Sequence, residues 1–253
     1  MKNKIIIAAS ILSANFAHLG SESKNILKAG ADCIHFDVMD HHFVPNLSFG
    51  SVVCEALRKD GVVAEIDVHL MVTNPDLYIE PFAKAGATRL TFHPAALRHR
   101  SRASAKAQPA ALRHRSLSVA KAQSKQIKTL CDKIHAHGMQ TGLAFNPDKP
   151  IEIDKNIFDE IDMILLMSVF AGFGGQSFMP ECLEKISGTK KLIDKNNPKI
   201  LLGVDGGIKL DNIASVVKAG ANFIVMGSGL FNTDDYALRV KQLRDAIHAV
   251  DDR

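Results

Sequence analysis

A histidine and an aspartate stand two residues apart in the otherwise apolar stretch GADCIHFDVMD, residues 30–40. Side chains alternate between the two faces of a strand, so His35 and Asp37 would share one face while the apolar side chains between them point the other way. An imidazole and a carboxylate are costly to bury unless each is hydrogen-bonded, paired with charge or bound to a metal. The pair therefore indicates a site for chemistry, completed by partners from elsewhere in the chain.

The elements that must position this pair repeat along the chain. Short β-branched runs alternate with amphipathic helical patterns that end at Gly or Asn. Eight such alternations within 253 residues favour a closed (β/α)₈ TIM barrel of α/β class, as one domain over residues 1–253, rather than an open doubly wound sheet. The predicted strands are KIIIAAS, DCIHFDVMD, VAEIDVHLM, TRLTFHP, QTGLAFN, MILLMSV, KILLGVDGG and NFIVMGS.

Functional groups of such a barrel lie at the carboxyl ends of its strands. There the third run supplies His69 and the seventh supplies Asp205. Two imidazoles and two carboxylates around one barrel mouth predict a site for a divalent ion such as Zn²⁺, Fe²⁺ or Mn²⁺. The alternative is that each is an ordinary hydrogen-bonded polar residue. His93, at the end of the fourth run, is left out of the metal set as a supporting or simply satisfied polar residue.

Glycines follow the last three predicted strands. They stand in AGFGGQSF (residues 171–178), in DGGI after the seventh strand and in MGSGLF (residues 226–231). Glycine lets backbone N–H groups approach an anion closely, and barrels often hold phosphate near their last strands. Turns also need glycine, so each loop alone is weak evidence. Together the three loops predict a phosphate site.

The cysteines and the apolar runs of the sequence indicate in which compartment the protein functions. The four cysteines form no CxxC pair, which favours a reducing compartment, here the cytoplasm, and argues against thiolate metal ligands. The N-terminal run KIIIAAS is short and soon interrupted by serines, so we interpret it as a barrel strand rather than an export signal. No run approaches the roughly 20 apolar residues that cross a bilayer. We therefore expect no membrane partner.

A tandem duplication accounts for the basic charge. Residues 94–108, PAALRHRSRASAKAQ, recur as residues 109–123, PAALRHRSLSVAKAQ, with 12 of 15 positions identical. The two copies hold seven Lys or Arg and no acid, and without them the formal net charge of +4 would be −3. We expect an insertion after the fourth strand, partly helical and mobile. A solvated surface segment is preferred to nucleic-acid binding.

The motifs ILSANF, HFDVMDHHFVPNLSFG, HLMV, MSVFAGFGGQSF, VDGGI and GSGLF, in this order, resemble those of the ribulose-phosphate 3-epimerase family. The resemblance spans nearly the whole chain outside the duplication. It implies a TIM barrel, a homo-oligomer and a metal-dependent isomerase that interconverts D-ribulose 5-phosphate and D-xylulose 5-phosphate. It also implies one divalent ion per subunit, held by His35, Asp37, His69 and Asp205.

The same resemblance assigns further roles. Asp37 and Asp205 would be the two acid/base groups, which suits an inversion at C3 because a proton leaves one face and another returns to the opposite face. Three departures from the usual family sequence are Ala9 for proline, Phe170–Ala171 for Asn-Pro, and Ala95 for an acid. Substrate and phosphate contacts would come from Ser10, His69, Gly172, Phe173, Gly174, Gly175, Asp205, Gly206, Gly207, Gly227 and Ser228, with Met39, Met71 and Met167 lining the site.

Other functions are also compatible with these motifs. An allulose 6-phosphate 3-epimerase would share every catalytic residue named. Another phosphate-binding barrel, an isomerase or a decarboxylase, is a further alternative, although a metal-independent relative would not need both His35 and His69. The alternative outside enzymes is an inactive barrel that binds partners through the basic insert, and the intact set of four ligands argues against it.

Overall fold

The computed structural model of the chain describes residues 4–97 and 115–251. Eight parallel strands close into a barrel in sequence order, from β1 through β8 and back to β1. All eight strands lie within the predicted runs, so the predicted (β/α)₈ barrel is confirmed. The strands are β1 Ile6–Ser10, β2 Cys33–Met39, β3 Glu65–Met71, β4 Arg89–Phe92, β5 Gln140–Phe145, β6 Met163–Met167, β7 Leu201–Asp205 and β8 Phe223–Met226.

Helices cover the outside of the barrel. They are α1 Leu19–Lys28, α2 Ser51–Lys59, α3 Asp76–Lys84, α4 Arg115–Ala136, α5 Cys182–Asn196, α6 Ile213–Lys218, α7 Ser228–Phe231 and α8 Tyr236–Asp251. Short 3₁₀ turns span Ile11–Ser13, Phe16–His18 and Lys155–Ile157. Lys-Ala-Gly-Ala ends α1, α3 and α6. At Gly86 and Gly220 the φ angles of 88° and 112° turn the chain into the next strand, a conformation that glycine adopts without strain.

The core has two layers because parallel strands are buried on both faces. Between strands and helices lies a large aliphatic and aromatic cluster that includes Phe36, Leu70 and Phe82. The barrel interior holds a smaller cluster around Met163, Leu165 and Phe223. In the register of β2 against β3, Asp37 pairs with His69 and His35 pairs with Asp67, so this part of the interior is polar.

The ends of the duplicated segment lie inside the described residues. Residues 94–97 are helical, and α4 begins at Arg115, so the second copy is helical over residues 115–123, within the segment expected to be partly helical. The Gln123 side chain donates a 3.0 Å hydrogen bond to the Pro94 carbonyl, which brings the two ends together. The expected mobile insertion otherwise falls on residues 98–114, outside the described residues. Within the described chain, no helix is long and apolar enough to cross a membrane.

Candidate active site

The barrel brings the four predicted metal ligands together. His35 and Asp37 lie on β2, His69 on β3 and Asp205 at the end of β7, and one ligand atom from each lies within 4.8 Å of the others. Asp37 Oδ1 is 3.3 Å from His35 Nε2 and 3.1 Å from His69 Nδ1. Asp205 Oδ2 is 3.7 Å from each of the same two nitrogens. The two carboxylates therefore face one pair of imidazoles.

This cluster suits a divalent cation. Both imidazoles are fully buried, and the Nε2 atom of His35 is buried without a hydrogen-bond partner among the described residues. A buried nitrogen of this kind is costly unless it has a ligand. Two imidazole nitrogens with two carboxylates are the donor set that Zn²⁺, Fe²⁺ and Mn²⁺ accept. The residues thus fit the ion that the sequence predicts.

The two carboxyl groups have opposite acidities. Burial raises the pKa of Asp37, but the neighbouring His35 and His69 lower it further, so the net pKa lies far below the usual aspartate range. Burial and the negative charge of Asp37 raise the pKa of Asp205 to about 6. The carboxylates around His35 raise its pKa despite burial. Near neutral pH the cluster therefore pairs an ionised carboxylate with one that readily takes a proton.

A cavity opens above the cluster at the carboxyl ends of the strands. His35 and His69 lie beneath the lining residues. His69, predicted also as a substrate contact, is fully buried and faces Asp37 instead. The predicted residues that do line the cavity are Ser10, Asp37, Gly172, Phe173, Gly174, Gly175, Asp205, Gly206, Gly207, Gly227 and Ser228, with Met39, Met71 and Met167.

The glycine loops are held close together at one side of the cavity. Gly207 has φ 67°, and a Cβ built on it would lie 2.2 Å from the backbone nitrogen of Phe178, so no other residue fits without moving that loop. The Gln176 amide donates hydrogen bonds to the carbonyls of Phe170 and Phe173 and so fixes the loop after β6. No lysine or arginine is among the described lining residues, so the cavity offers an anion only uncharged donors.

Sequence reasoning missed several residues of the site. Ser13 lines the cavity, and its Oγ would lie 2.5 Å from a Cβ built on Gly227, among the phosphate-loop glycines. The 3₁₀ turn that places Ser13 has no distinctive sequence pattern. Asp67 contacts His35 and is not among the predicted site residues. The alternation of β3 could have found it, because Asp67 stands two residues before His69 on the same face.

The family departures lie at the surface of the site or in the barrel wall. Ala9 is fully buried in β1, and Phe170 is half exposed beside the cavity. Ala95 lies in the helical residues 94–97 that begin the duplicated segment. None of the three is itself one of the four clustered ligands.

Barrel and site together define a (β/α)₈-barrel enzyme with its polar groups at the carboxyl ends of the strands. The family model described as "Ribulose-phosphate 3 epimerase family" matches residues 6–114 and 106–231 of this chain. The chain belongs to the ribulose-phosphate 3-epimerase family. The two matched segments overlap at residues 106–114, inside the duplication.

Individual relatives agree with the family. The ribulose-phosphate 3-epimerase of Buchnera aphidicola subsp. Acyrthosiphon pisum (strain APS) is 47% identical over 242 residues, 96% of this chain and 94% of that protein. The Serratia marcescens ribulose-phosphate 3-epimerase is 46% identical over 92% of this chain and 98% of its own. A solved 3-keto-L-gulonate-6-phosphate decarboxylase from Vibrio cholerae matches with a TM-score of 0.65, covering 98% of this chain and 99% of that one. At 14% identity, that structure supports the fold alone.

Proposed function

We propose that this chain is a ribulose-phosphate 3-epimerase that interconverts D-ribulose 5-phosphate and D-xylulose 5-phosphate. Family membership supports the reaction class. The observation that carries the proposal is the placement of Asp37 and Asp205, which reach one pair of imidazoles from β2 and β7 across the barrel mouth. Two carboxylates on different sides of one cavity are what inversion of a carbon next to a ketone requires.

The chemistry of the two carboxylates follows from their different acidities. Asp37, which its lowered pKa keeps ionised, is free to accept a proton, and Asp205, with a pKa raised to about 6, is the proton donor in one direction. The reverse reaction exchanges the two roles. Ser10 Oγ donates a 2.7 Å hydrogen bond to Asp37 Oδ2 and fixes how that carboxylate enters the cavity. The three lining methionines provide an apolar wall that limits water around the reacting carbon.

The substrate phosphate would lie against the glycine loops. Backbone N–H groups at Gly174, Gly175, Gly207 and Gly227 and the hydroxyls of Ser13 and Ser228 are the donors available there. Lysine and arginine contribute nothing to the described lining, so affinity for phosphate rests on the shape of these loops rather than on a salt bridge. The proposed binding mode therefore depends on Gly207, where a side chain does not fit.

His35, Asp37, His69 and Asp205 would hold one divalent ion per subunit. When bound, that ion supplies Lewis-acid stabilisation of negative charge that develops on the substrate oxygens. The donor set suits Zn²⁺, Fe²⁺ and Mn²⁺ alike, and we propose one of these three as the native ion. We also propose a cytoplasmic homo-oligomer in which each subunit is one barrel domain, with residues 94–123 as an insertion.

The test is an epimerase assay on purified protein of measured metal content. We expect conversion of D-ribulose 5-phosphate, loss of activity with a chelator and recovery on adding back one of the three ions. Full turnover by protein shown to be metal-free would contradict the metal role. Allulose 6-phosphate assayed in parallel decides between pentose and hexose phosphate, because the alternative epimerase shares all of the proposed catalytic residues. No epimerisation of either sugar phosphate would contradict the proposed function.

A further inference from the structure

A fully buried carboxylate lies directly beneath the proposed metal site. Asp67 is on β3, level with His35 on the neighbouring β2, and both side chains are completely inaccessible to solvent. Asp67 Oδ2 is 2.7 Å from His35 Nδ1. The other ring nitrogen, Nε2, is the one that faces Asp37 and Asp205. His35 thus lies between a carboxylate below it and the cluster above it.

A buried carboxylate needs a positive charge, and Arg89 supplies one to Asp67. Arg89 Nη1 is 3.7 Å from Asp67 Oδ1, and the arginine side chain is only 2% exposed. Its guanidinium also lies 5.1 Å from the centre of the Phe223 ring and donates a 2.5 Å hydrogen bond from Nη2 to Gln140 Oε1. The barrel interior therefore contains a buried arginine at ion-pair distance from Asp67, where aliphatic side chains would pack more simply.

We propose that Asp67, paired in charge with Arg89, is a positioning residue that fixes the tautomer and orientation of His35. A neutral imidazole carries one N–H, and a carboxylate accepts but cannot donate. Asp67 therefore selects the tautomer with the proton on Nδ1, which leaves the Nε2 lone pair directed at the cluster. A histidine that binds a metal commonly donates its other N–H in this way, and loss of the acceptor costs about 10- to 100-fold in metal affinity.

The other imidazole does not permit the same inference. His69 faces the cluster through Nδ1, and its Nε2 lies 2.9 Å from Nε2 of the buried His93. Either ring can be the donor in that contact, so His93 does not select one tautomer by chemistry alone. Asp67 has no such freedom, and the proposal is therefore confined to His35.

The first experiment compares Zn²⁺ affinity by competition with a chromophoric chelator. We expect Asp67→Asn to weaken Zn²⁺ binding about 10- to 100-fold, because the asparagine amide can donate to Nδ1 and favour the tautomer with the proton on Nε2. Glu65→Gln is the matched control. Glu65 stands two residues earlier on β3 and its carboxylate is also 3.7 Å from Arg89, but it has no contact with the cluster. The control should bind Zn²⁺ as the wild type does.

A second variant separates positioning from simple charge balance. Asp67→Asn removes the buried one of the two carboxylates near Arg89, leaving only the exposed Glu65, and is expected to lower stability for that reason alone. Adding Arg89→Met removes the charge, so the double variant should regain stability while its Zn²⁺ affinity stays low. Recovery of wild-type affinity in the double variant would overturn the proposal, and so would an Asp67→Asn affinity within twofold of wild type.

NMR of the zinc-loaded protein gives a readout that needs no substrate. In ¹⁵N-histidine-labelled wild type, we expect a proton on His35 Nδ1, shifted downfield by its hydrogen bond to Asp67, and we expect that shift to be lost in Asp67→Asn. An unchanged resonance would contradict the proposal. The inference rests on the metal site of the proposed function. Zn²⁺ affinity and the NMR shift are measured without substrate, so their outcome does not depend on which sugar phosphate the enzyme accepts or on the result of the epimerase assay.

Discussion

The hydroxyl of Ser10 and the carboxylate of Asp37 form a buried 2.7 Å hydrogen bond between the end of β1 and the middle of β2. The two oxygens of the Asp37 carboxylate therefore have different partners. Oδ2 accepts a hydrogen bond from the serine hydroxyl, whereas Oδ1 faces the two imidazoles at 3.1 and 3.3 Å. Ser10 also lines the cavity, so the substrate contact implied by the family resemblance accounts for only part of what this serine does.

Ser10→Ala should therefore lower kcat more than it raises KM. A hydrogen bond to a charged acceptor contributes about 1.5–3 kcal/mol, so we expect kcat to fall at least about tenfold as Asp37 loses its fixed orientation. Ser13→Ala is the comparison, since Ser13 lies among the phosphate-loop glycines and its loss should act mainly on KM. Steady-state kinetics with metal content measured for each variant makes the distinction. An effect of Ser10→Ala on KM alone would show that the serine acts only as a substrate contact.

Asp37→Asn and Asp205→Asn should each abolish epimerisation, by at least about a hundredfold. One remaining carboxylate returns the proton to the face from which it came, so inversion fails even where proton exchange survives. Deuterium uptake from D₂O into each substrate epimer, measured with metal content, separates lost ligation from lost proton transfer. Near wild-type epimerisation by either variant with metal present would show that a single base or a water carries the reaction.

The acid sensitivity of the fold should depend on Asp32, at the start of β2. Burial raises the pKa of this carboxyl, but hydrogen bonds from Lys4, the Ile7 backbone N–H and Arg244 lower it, and the net pKa lies below the usual aspartate value. A depressed pKa stabilises the fold above the unfolded-state pKa of about 3.9 and loses this contribution as pH falls through the folded-state value. Asp32→Asn should thus cost about 2 kcal/mol at pH 7.

Urea unfolding of wild type and Asp32→Asn between pH 3 and pH 8 checks this. The difference in unfolding free energy should be constant from about pH 5 upward and shrink below about pH 4. Asp245→Asn, on the same helix as Arg244, is the control, because its pair with Lys241 is solvent-exposed and such pairs contribute little. A difference for Asp32→Asn that does not change with pH would mean that packing, not charge, is responsible.

His41 adopts a backbone conformation that histidine adopts at a cost. Its φ is 59°, and it is the one non-glycine residue of the described chain with positive φ. The left-handed region costs a residue with a side chain about 1–2 kcal/mol. Glycine avoids this strain but loses more backbone entropy on folding, so His41→Gly should stabilise the fold by about 0.5–1 kcal/mol. The His41 N–H donates to the Asn46 carbonyl at 2.9 Å, a bond that the substitution retains.

Chemical denaturation of His41→Gly and His42→Gly tests this prediction. His42 lies in the same loop at ordinary φ and its ring contacts the Asp40 carbonyl at 2.7 Å, so His42→Gly should destabilise the protein. Equal destabilisation by both substitutions would show that the His41 ring has contacts that outweigh its backbone strain.

The barrel and the four clustered ligands could be predicted because each depends on local sequence. Alternation within β2 puts His35 and Asp37 on one face, and parallel strands in a closed barrel all present their carboxyl ends at the same mouth. The glycine loops were visible for the same reason, since positions such as Gly207 accept no side chain. These features follow from strand periodicity and turn chemistry, which a single sequence carries.

What escaped prediction depends on register between strands. Asp67 supports His35 because β2 and β3 pair at that level, and Ser10 supports Asp37 because β1 ends beside it. Register is set by the packing of the whole barrel and is not written in either strand alone. The helix α4 begins at Arg115, inside the segment expected to be partly helical, but the residue at which it begins is not marked by any pattern in the duplicated sequence.

The final prediction concerns the duplicated segment, which we expect to be dispensable for catalysis. Removing residues 98–112 joins Leu97 to Arg113 and leaves one complete copy, PAALRHRSLSVAKAQ. Every residue that the structure describes, including the whole site, is retained. The hydrogen bond between Gln123 and Pro94 is kept, so the two ends stay in place. Loop-closure entropy changes by only about 0.6 kcal/mol when a loop is halved, so stability should hardly change.

A second deletion provides a matched control. Removing residues 109–123 leaves the first copy, PAALRHRSRASAKAQ, in the same register, so Gln108 takes the place of Gln123. The two shortened proteins have equal length and differ only where Leu117, Ser118 and Val119 are replaced by Arg102, Ala103 and Ser104. We expect both to keep kcat and KM within about threefold of the full chain, because all proposed catalytic and binding groups lie outside the segment. A large fall in kcat in both, with circular dichroism unchanged, would show that the segment helps to close the site; a fall in one alone would trace the effect to those three positions.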